Sequence, residues 1–345
     1  MFRAISSRRA CVLSKLQCAK KALSTSSSPP PIRVAYTADS AGRGTFATRR
    51  LRSGDLIHTA DPLITHPSPS LLNKVCYLCL RRSGPSTAAD ETDPTVRFCG
   101  EDCKLRSQGF YKVEKRADWS AFDDHSRLQG LKYPFLVKRL ACMVISGAAT
   151  VESLDILQPA NLFPEILSEG GPIINLNPGS MYKSTRFSSI VDRNLDESDQ
   201  MEEEFGLLKD ALLKAGFNEQ IAFLTKQWYI GVLARIRINA FRVELAGGSY
   251  EDLLSEAAAA VAAESAVGNA IYMLPSFYNH DCDPNAHMVW IENAHARLKA
   301  LRDVEAGEEL RICYIDASMD HDARQTILSQ GFGFHCQCLR CMSGD

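Results

Sequence analysis

Residues 278–285 read Tyr-Asn-His-Asp-Cys-Asp-Pro-Asn, and this stretch decides how the rest of the chain is interpreted. Asn279 and His280 place an amide beside an imidazole, and both side chains form directed hydrogen bonds. Cys282 offers a sulfur atom that can bind a metal ion as a thiolate. The dipeptide Asp283-Pro284 is a turn signal, so we expect the chain to double back directly after these polar groups.

A second cysteine-rich segment lies in the C-terminal region. Residues 334–341 read Phe-His-Cys-Gln-Cys-Leu-Arg-Cys, which places Cys336, Cys338 and Cys341 in a C-x-C-x2-C pattern. A structural zinc site has four ligands at the corners of a tetrahedron, so three cysteines leave one position open. Cys282 can supply the missing thiolate. The pattern therefore predicts a zinc site that ties this segment to the central stretch.

Four further cysteines form two pairs in the first third of the chain: Cys76, Cys79, Cys99 and Cys103. Two pairs at this separation are typical of a four-thiolate zinc site. The alternative is a set of four reduced, buried cysteines without a metal ion. Eight of the twelve cysteines thus fall into two tetrahedral sets, and this favours a reducing compartment over a disulfide framework.

Together these motifs resemble those of the SET-domain lysine methyltransferases. Residues 279–285 look like the family's N-H-x-C-x-P-N signature, and residues 307–314, Gly-Glu-Glu-Leu-Arg-Ile-Cys-Tyr, look like its G-E-E-L-x-x-x-Y segment. The C-x-C-x2-C cysteines look like the post-SET cluster, and residues 42–44, Gly-Arg-Gly, look like the opening G-x-G element. Because the four motifs occur in the expected order, the resemblance is specific, and it covers roughly residues 32–341.

The resemblance implies an α+β fold with a β-rich SET core that contains a pseudoknot. We expect this core to span residues 32–316 in two parts, interrupted by a zinc finger and a helical insertion. Residues 70–125 resemble the finger of the SET–MYND family, but their four cysteines predict a reduced finger with one zinc ion. The helical insertion is expected at 126–233, with a further alanine-rich helix at 250–266. A post-SET zinc-binding segment follows at 317–345.

The resemblance also implies the cofactor S-adenosylmethionine (SAM) and the residues that would contact it. Gly42 and Gly44 have no Cβ atom that would obstruct a bound ligand, although two glycines of an ordinary turn are the alternative. Asn239 stands where the SET–MYND family has an asparagine that touches the cofactor. A buried asparagine that bonds to the backbone is the competing interpretation. The predicted cofactor-binding set is Gly42, Arg43, Gly44, Asn239, Asn279, His280, Tyr314 and Phe334.

Transfer of a methyl group to lysine requires the amine, the methyl carbon and the sulfur to lie in line, which is a problem of positioning. Free lysine has a pKa of about 10.4, so the site must also present the amine uncharged. A narrow apolar channel achieves this by desolvation. We expect Tyr314 to hold the amine through its hydroxyl, and Tyr278 and Tyr272 to line the channel. The alternative for Tyr314 is a buried strand tyrosine without a catalytic role.

Composition limits the choice of partners. The chain has 345 residues, of which 45% are hydrophobic, and its net charge is −2. No global positive field attracts it to nucleic acid, so direct nucleic-acid binding is not expected. No segment approaches the roughly 18 consecutive apolar residues that a membrane span requires. We expect a monomer whose partner is a protein that bears the target lysine.

Residues 1–31 are predicted to be a mitochondrial transit peptide and linker. The first 38 residues contain no Asp or Glu, and basic and serine residues alternate there with apolar residues at helical spacing. A transit peptide requires this composition. We therefore expect the mitochondrial matrix as the location. The alternative is a disordered basic tail on a nuclear or cytoplasmic protein.

Three functions compete on the basis of the sequence. The leading one is a SAM-dependent protein-lysine N-methyltransferase. The second is a non-catalytic interaction module with a zinc finger and a SET core that has lost turnover. The third is a nuclear histone-lysine methyltransferase, against which the acid-free N-terminal region argues. The presence of Asn279, Tyr314 and the C-terminal cysteines favours an enzyme.

Overall fold

The structure is a computed structural model that describes residues 29–37, 42–84, 88–90, 93–160, 187–246 and 266–345. The predicted transit segment lies outside these residues except for its last three positions, and so does the predicted alanine-rich helix except for Ala266. Within the described residues, no helix combines the length and the apolar character that crossing a membrane requires.

The helices lie mainly between the second cysteine pair and residue 239. They are α1 (Glu101–Arg116), α2 (Ser120–Leu128), α3 (Pro134–Ile145), α4 (Phe187–Lys214) and α5 (Lys226–Asn239), and the C-terminal region adds α6 (His321–Phe332) and α7 (Leu339–Met342). The chain breaks between α2 and α3 because Gly130 has a φ of 65° and Pro134 begins the next helix. Helices thus occupy most of the described part of the range predicted as a helical insertion.

The strands form several small sheets. Their bounds are β1 (Ile32–Tyr36), β2 (Arg43–Ala47), β3 (Leu56–Ala60), β4 (Ile64–Pro67), β5 (Ala88–Ala89), β6 (Arg97–Phe98), β7 (Ala240–Val243), β8 (Gly268–Ile271), β9 (Asn279–His280), β10 (Ala286–Trp290), β11 (Ala296–Ala300) and β12 (Glu309–Ile312). The strand orders are β1-β2-β12-β9, β10-β11-β3, β4-β8-β7 and β5-β6. Small sheets combined with helices confirm the predicted α+β fold class.

The first of these sheets carries the residues of the central motif. β2 lies inside it and pairs antiparallel with both β1 and β12. Gly44 in β2 is required by close packing, because a Cβ atom at this position would overlap the Glu309 carboxylate and lie 3.0 Å from Nδ2 of Asn279. The three motifs that the sequence placed far apart therefore meet at this glycine.

β9 and β12 pair in parallel, with Asn279 opposite Arg311. A parallel pair needs a long connection, and here the β10-β11 hairpin lies between the two strands in the sequence. Asn285 fastens the chain after the Asp-Pro turn. Its Oδ1 accepts the N–H of Arg311 at 2.8 Å, and its Nδ2 donates to the carbonyl of Glu309 at 2.8 Å. This pairing brings the central stretch alongside the segment that leads to Tyr314.

A buried ion pair joins the first cysteine region to the helices. The side chains of Arg139 in α3 and Glu114 in α1 are 1% and 5% exposed, and Nε of Arg139 lies 2.5 Å from the carboxylate. Glu114 also accepts the hydroxyl of Tyr77, which lies inside the first cysteine pair, at 3.0 Å. Arg139 further donates to the carbonyl of Thr65 in β4 at 3.0 Å. One guanidinium therefore connects α1, α3, β4 and the cysteine segment.

Replacement of Glu114 by alanine tests the importance of this pair. Glu114→Ala leaves the buried charge of Arg139 without its carboxylate, so the free energy of unfolding should fall by about 3–5 kcal/mol. Chemical denaturation measures this change. The matched control is Glu202→Ala at the exposed Lys226–Glu202 pair, whose side chains are 39% and 64% exposed. It should cost about 0–1 kcal/mol. Equal losses of unfolding free energy in the two variants would contradict the stabilising role of the buried pair.

Candidate active site and metal centres

Tyr314 follows β12, and its ring lies among aromatic side chains. The centroid of the ring is 5.0 Å from that of Phe332, 5.2 Å from that of His280 and 6.5 Å from that of Phe334. Its hydroxyl donates to the main-chain carbonyl of Tyr278 at 2.6 Å. Burial raises the pKa of the Tyr314 phenol above its usual range, so the group remains protonated at neutral pH. The structure thus brings together Tyr314, Phe334 and His280 of the predicted set.

Tyr278 faces Tyr314 with its main chain, whereas its ring points into the core. The side chain is 1% exposed and belongs to the apolar cluster beneath the first sheet. Its hydroxyl contacts Nε2 of His58 at 3.0 Å. The expectation that the Tyr278 ring lines a lysine channel is corrected: the ring points into the core, and the carbonyl faces Tyr314. No sequence signal singles out His58, because a lone histidine in a strand belongs to no motif.

Tyr272 lies apart from this arrangement. It is fully buried in a different apolar cluster, where its hydroxyl donates to the carbonyl of Ala294 at 2.5 Å and accepts Nε1–H of Trp290 at 2.8 Å. Both hydrogen-bonding roles of the hydroxyl are filled within the core. The expectation that Tyr272 lines the lysine channel is corrected accordingly. A tyrosine beside an apolar run suits a channel wall and a core equally well, so the sequence could not separate the two.

His280 uses both ring nitrogens within the protein. The main-chain N–H of Tyr314 donates to Nδ1 at 3.1 Å, and Nε2 lies 3.2 Å from Sγ of Cys282. Burial lowers the pKa of His280 to about 4, so the ring is neutral at pH 7. Because a backbone N–H can only donate, Nδ1 is the acceptor and Nε2 carries the proton. The ring therefore donates to the sulfur and links Tyr314 to the C-terminal cysteines.

Asn279 contacts two other predicted cofactor-binding residues, Arg43 and Gly44. Its Nδ2 donates to Oε1 of Glu309 at 2.7 Å and to the carbonyl of Arg43 at 3.3 Å. The other oxygen of Glu309 accepts Nε–H of Arg311 at 2.9 Å. Gly44 lies against the same amide and carboxylate. The predicted residues Arg43, Gly44 and Asn279 thus lie in contact with one another.

Gln158 lies close to two further predicted residues, Asn239 and Gly42. Nδ2 of Asn239 donates to the carbonyl of Gln158 at 2.8 Å and to a second main-chain carbonyl in α5. The side-chain oxygen of Gln158 would lie 3.7 Å from a Cβ atom on Gly42, which has a φ of 89°. The guanidinium of Arg43 stacks on the ring of Phe277 at 4.8 Å. The amide nitrogen of Asn239 is therefore satisfied by the backbone, as the alternative interpretation expected.

The two predicted cysteine sets assemble as expected. Within each set the sulfur atoms lie within 4.8 Å of one another. Four sulfurs at about 2.3 Å from one zinc ion would be about 3.8 Å apart from each other. The distances from Sγ of Cys282 to those of Cys336 and Cys341 are 3.9 Å and 3.6 Å, and Cys99 lies 3.5 Å from Cys79 and Cys103. These separations fit tetrahedral thiolate coordination and exceed the length of a disulfide bond.

The surroundings of the C-terminal set also suit a metal site. Burial raises the pKa of the Cys336 thiol to about 12, so a bound cation would be needed to hold this thiol as a thiolate. Hydrogen-bond donors surround the sulfurs. Besides His280, the buried Arg324 directs its guanidinium at Sγ of Cys341 at 3.9 Å, and the main-chain N–H of Cys341 points at Cys338. Donors of this kind orient and stabilise thiolate ligands.

Comparison with known proteins places the chain in a family. The family model of the SET domain matches residues 42–315, which is more than half of the chain, and the chain therefore belongs to the SET-domain family. It is 56% identical over 319 residues to Histone-lysine N-methyltransferase ATXR4 of Arabidopsis thaliana, covering 92% of this chain and 88% of that protein. It is 22% identical over 306 residues to a SET and MYND domain-containing protein of Dictyostelium discoideum, covering 84% and 77%.

A solved structure is also similar. It is the crystal structure of the SET domain of LSMT bound to lysine and AdoHcy, with a TM-score of 0.41 and 13% identity. The match covers 96% of this chain and 58% of that one. The family predicted from the sequence motifs is confirmed by the family model and by the relatives, which include a protein with both SET and MYND domains.

The position of His280 predicts that its two ring nitrogens have separable roles. His280→Asn keeps a polar group near Nδ1 but removes the donor to Cys282, so the C-terminal set should lose zinc about 10–100 times more easily. His280→Gln keeps a polar group near Nε2 and should retain zinc more nearly like the wild type. Elemental analysis should give two zinc ions per wild-type chain, and transfer to a coloured chelator measures the release.

The first cysteine set serves as the internal control for this experiment, since none of its ligands contacts His280. Its release phase should be the same in the wild type and in both variants. Protein purified without chelator that contains no zinc would refute the metal assignment. Identical release from the Asn and Gln variants would refute the role of the Nε2 donor.

Proposed function

We propose that this protein is a SAM-dependent protein-lysine N-methyltransferase whose catalytic residue is Tyr314. The observation that carries the proposal is the hydrogen bond of the Tyr314 hydroxyl to the Tyr278 carbonyl, in an aromatic, half-buried setting. Membership of the SET-domain family and similarity to a protein named as a histone-lysine methyltransferase support it.

The aromatic residues at this site suit the deprotonation and positioning of a lysine side chain. The apolar rings of Phe332 and Phe334 lie beside that of Tyr314. An ammonium group that enters next to the Tyr314 hydroxyl is therefore desolvated, and its pKa falls. The hydrogen of the Tyr314 hydroxyl is engaged by the Tyr278 carbonyl. Its oxygen therefore remains available only as an acceptor, and it can accept an N–H of the amine and hold the nitrogen lone pair in one direction.

The residues proposed to hold SAM are Gly42, Arg43, Gly44, Asn239, Asn279, His280, Tyr314 and Phe334. Two observations support this set. Gly42 has a backbone conformation that favours glycine, and Asn279 is half-buried next to Arg43 and Gly44. When bound, SAM supplies a methyl group on a positively charged sulfur, which needs no metal ion for its transfer. Glu309 and the carbonyl of Arg43 orient the side chain of Asn279, and the carbonyl of Gln158 orients that of Asn239.

Zinc is proposed for both cysteine sets, with a structural role in each. The C-terminal site would hold Cys282 against Cys336, Cys338 and Cys341, and thereby hold Phe334 beside Tyr314. The site of Cys76, Cys79, Cys99 and Cys103 would stabilise the reduced finger proposed for residues 70–125. The proposed order of segments is otherwise that predicted from the sequence, with the helical insertion at 126–233 and the post-SET segment at 317–345.

Two locations and two classes of substrate remain in competition. The acid-free N-terminal region favours the mitochondrial matrix and a matrix protein as substrate. The printed name of the Arabidopsis relative favours a histone and therefore the nucleus. We propose the matrix, since the support comes from residues of this chain.

One incubation tests both the activity and the class of substrate. Purified protein is mixed with labelled SAM and with fractionated mitochondrial or nuclear extract, and the labelled proteins are identified. Label on lysine of a mitochondrial protein is the expected result. Label confined to histones would favour the nuclear alternative. The absence of label from every fraction would favour the non-catalytic interaction module.

Tyr314→Phe should separate catalysis from cofactor binding. The loss of one positioned hydrogen bond in a dry site should cost about 2.7–4 kcal/mol of transition-state stabilisation, by analogy with the loss of an oxyanion donor. The methyl-transfer rate should therefore fall, while calorimetric SAM binding stays close to that of the wild type. Asn279→Ala should instead weaken SAM binding.

Tyr272→Phe is the matched control for Tyr314→Phe. It also removes a buried hydroxyl, but one that bonds to Ala294 and Trp290 in another cluster. It should lower thermal stability and leave the methyl-transfer rate unchanged. A Tyr314→Phe variant that transfers every methyl group at the wild-type rate would show that the catalytic assignment is wrong.

A further inference from the structure

His58 is a buried polar residue that the proposed mechanism leaves without a role. It lies in β3 and is 6% exposed. Its Nδ1 lies 3.1 Å from the carbonyl of Thr59, and its Nε2 lies 3.0 Å from the hydroxyl of Tyr278, which is 220 residues away in the sequence. A histidine with both nitrogens engaged in an apolar core is held in one orientation.

The direction of these two hydrogen bonds follows from their partners. A carbonyl oxygen can only accept, so Nδ1 of His58 carries a proton and donates to Thr59. Burial lowers the pKa of His58, so the ring is neutral and Nε2 has a free lone pair. The hydroxyl of Tyr278 therefore donates to Nε2. The ring of Tyr278 is fixed by this bond inside a cluster that otherwise offers apolar contacts, among them Leu298 and Leu310.

Tyr278, whose ring His58 holds in place, is also the residue that bonds to Tyr314. The main-chain carbonyl of Tyr278 accepts the Tyr314 hydroxyl at 2.6 Å, and the next residue, Asn279, begins β9. Because the ring and the carbonyl belong to one residue, a displacement of the Tyr278 side chain that moves its Cα atom would also move this carbonyl. A displacement of about 1 Å in the position of a catalytic group can cost about 100-fold in rate.

We infer that His58 is a positioning residue for methyl transfer, which acts by holding Tyr278 and, through the Tyr278 carbonyl, the hydroxyl of Tyr314. This inference rests on the proposed function of Tyr314. It assigns a role to a strand residue that acts through Tyr278.

Substitutions at His58 that differ in hydrogen bonding test the inference. His58→Phe keeps an aromatic ring but removes the acceptor, and it should lower kcat about 10-fold or more while the KM for SAM is retained. His58→Gln places an amide oxygen near the position of Nε2, where it can accept the Tyr278 hydroxyl, and it should restore most of the rate.

A double-mutant cycle shows whether the two residues act through one bond. His58→Phe and Tyr278→Phe each remove the same hydrogen bond, so the losses in kcat should not multiply in the double variant. The matched control is Tyr229→Phe. This substitution removes a buried hydroxyl that donates to Glu204 at 2.5 Å in the helical region. It should reduce thermal stability without changing kcat.

A measurement that is independent of activity is the ¹⁵N NMR spectrum of histidine-labelled protein. His58 should show the neutral tautomer with an unprotonated Nε2, and Tyr278→Phe should shift the Nε2 resonance.

The outcomes separate this inference from the proposed function. An active wild-type enzyme together with a folded His58→Phe variant of equal kcat would overturn the role of His58 and leave the function intact. Equal losses for the Phe and Gln variants, or losses that multiply in the cycle, would overturn it as well. A wild-type protein without methyl-transfer activity on any extract would instead remove the proposed function, and this inference with it.

Discussion

The parallel alignment of β9 with β12 is the constraint on which the site depends. It sets Asn279 beside Glu309 and brings the Nδ1 atom of His280 to the main chain of Tyr314. In an extended strand, a shift of one residue turns every side chain to the opposite face. Such a shift would remove His280 from the main chain of Tyr314 and Asn279 from Gly44 at the same time. Asn285 prevents it, because its amide bonds to the backbone of β12 in a single register.

Much of this arrangement could be predicted from the sequence, because its chemistry needs particular residue types at fixed separations. Zinc coordination by thiolates requires four cysteines, and an incomplete C-x-C-x2-C pattern points to a fourth ligand elsewhere in the chain. The assembly of Cys282 with the C-terminal cysteines follows from that requirement alone. The α+β fold class followed from the order of several motifs, any one of which would have been weak evidence.

The remaining features depend on the direction in which a side chain points, which a linear pattern does not record. Tyr272 and Tyr278 both shortly precede Asn279 and look alike in the sequence. In the structure the Tyr272 hydroxyl bonds to the carbonyl of Ala294, and the Tyr278 hydroxyl bonds to His58. The contact between His58 and Tyr278 joins residues 220 positions apart, and neither the spacing nor the composition indicates it. The buried pair of Arg139 and Glu114 could not be predicted from the sequence either, since charged residues in helices usually face the solvent.

The separation of the C-terminal cysteine ligands along the chain has a consequence for biosynthesis. Cys336 and Cys341 follow Cys282 by 54 and 59 residues. At about 5–20 residues per second, a ribosome needs about 3–12 s to translate that interval. During this time Cys282 and the His280 side chain have been made, but the cysteines that complete their cluster have not. The nascent polypeptide therefore emerges without an assembled Tyr314 environment, and the cysteine cluster can close only after Cys341 has been synthesised.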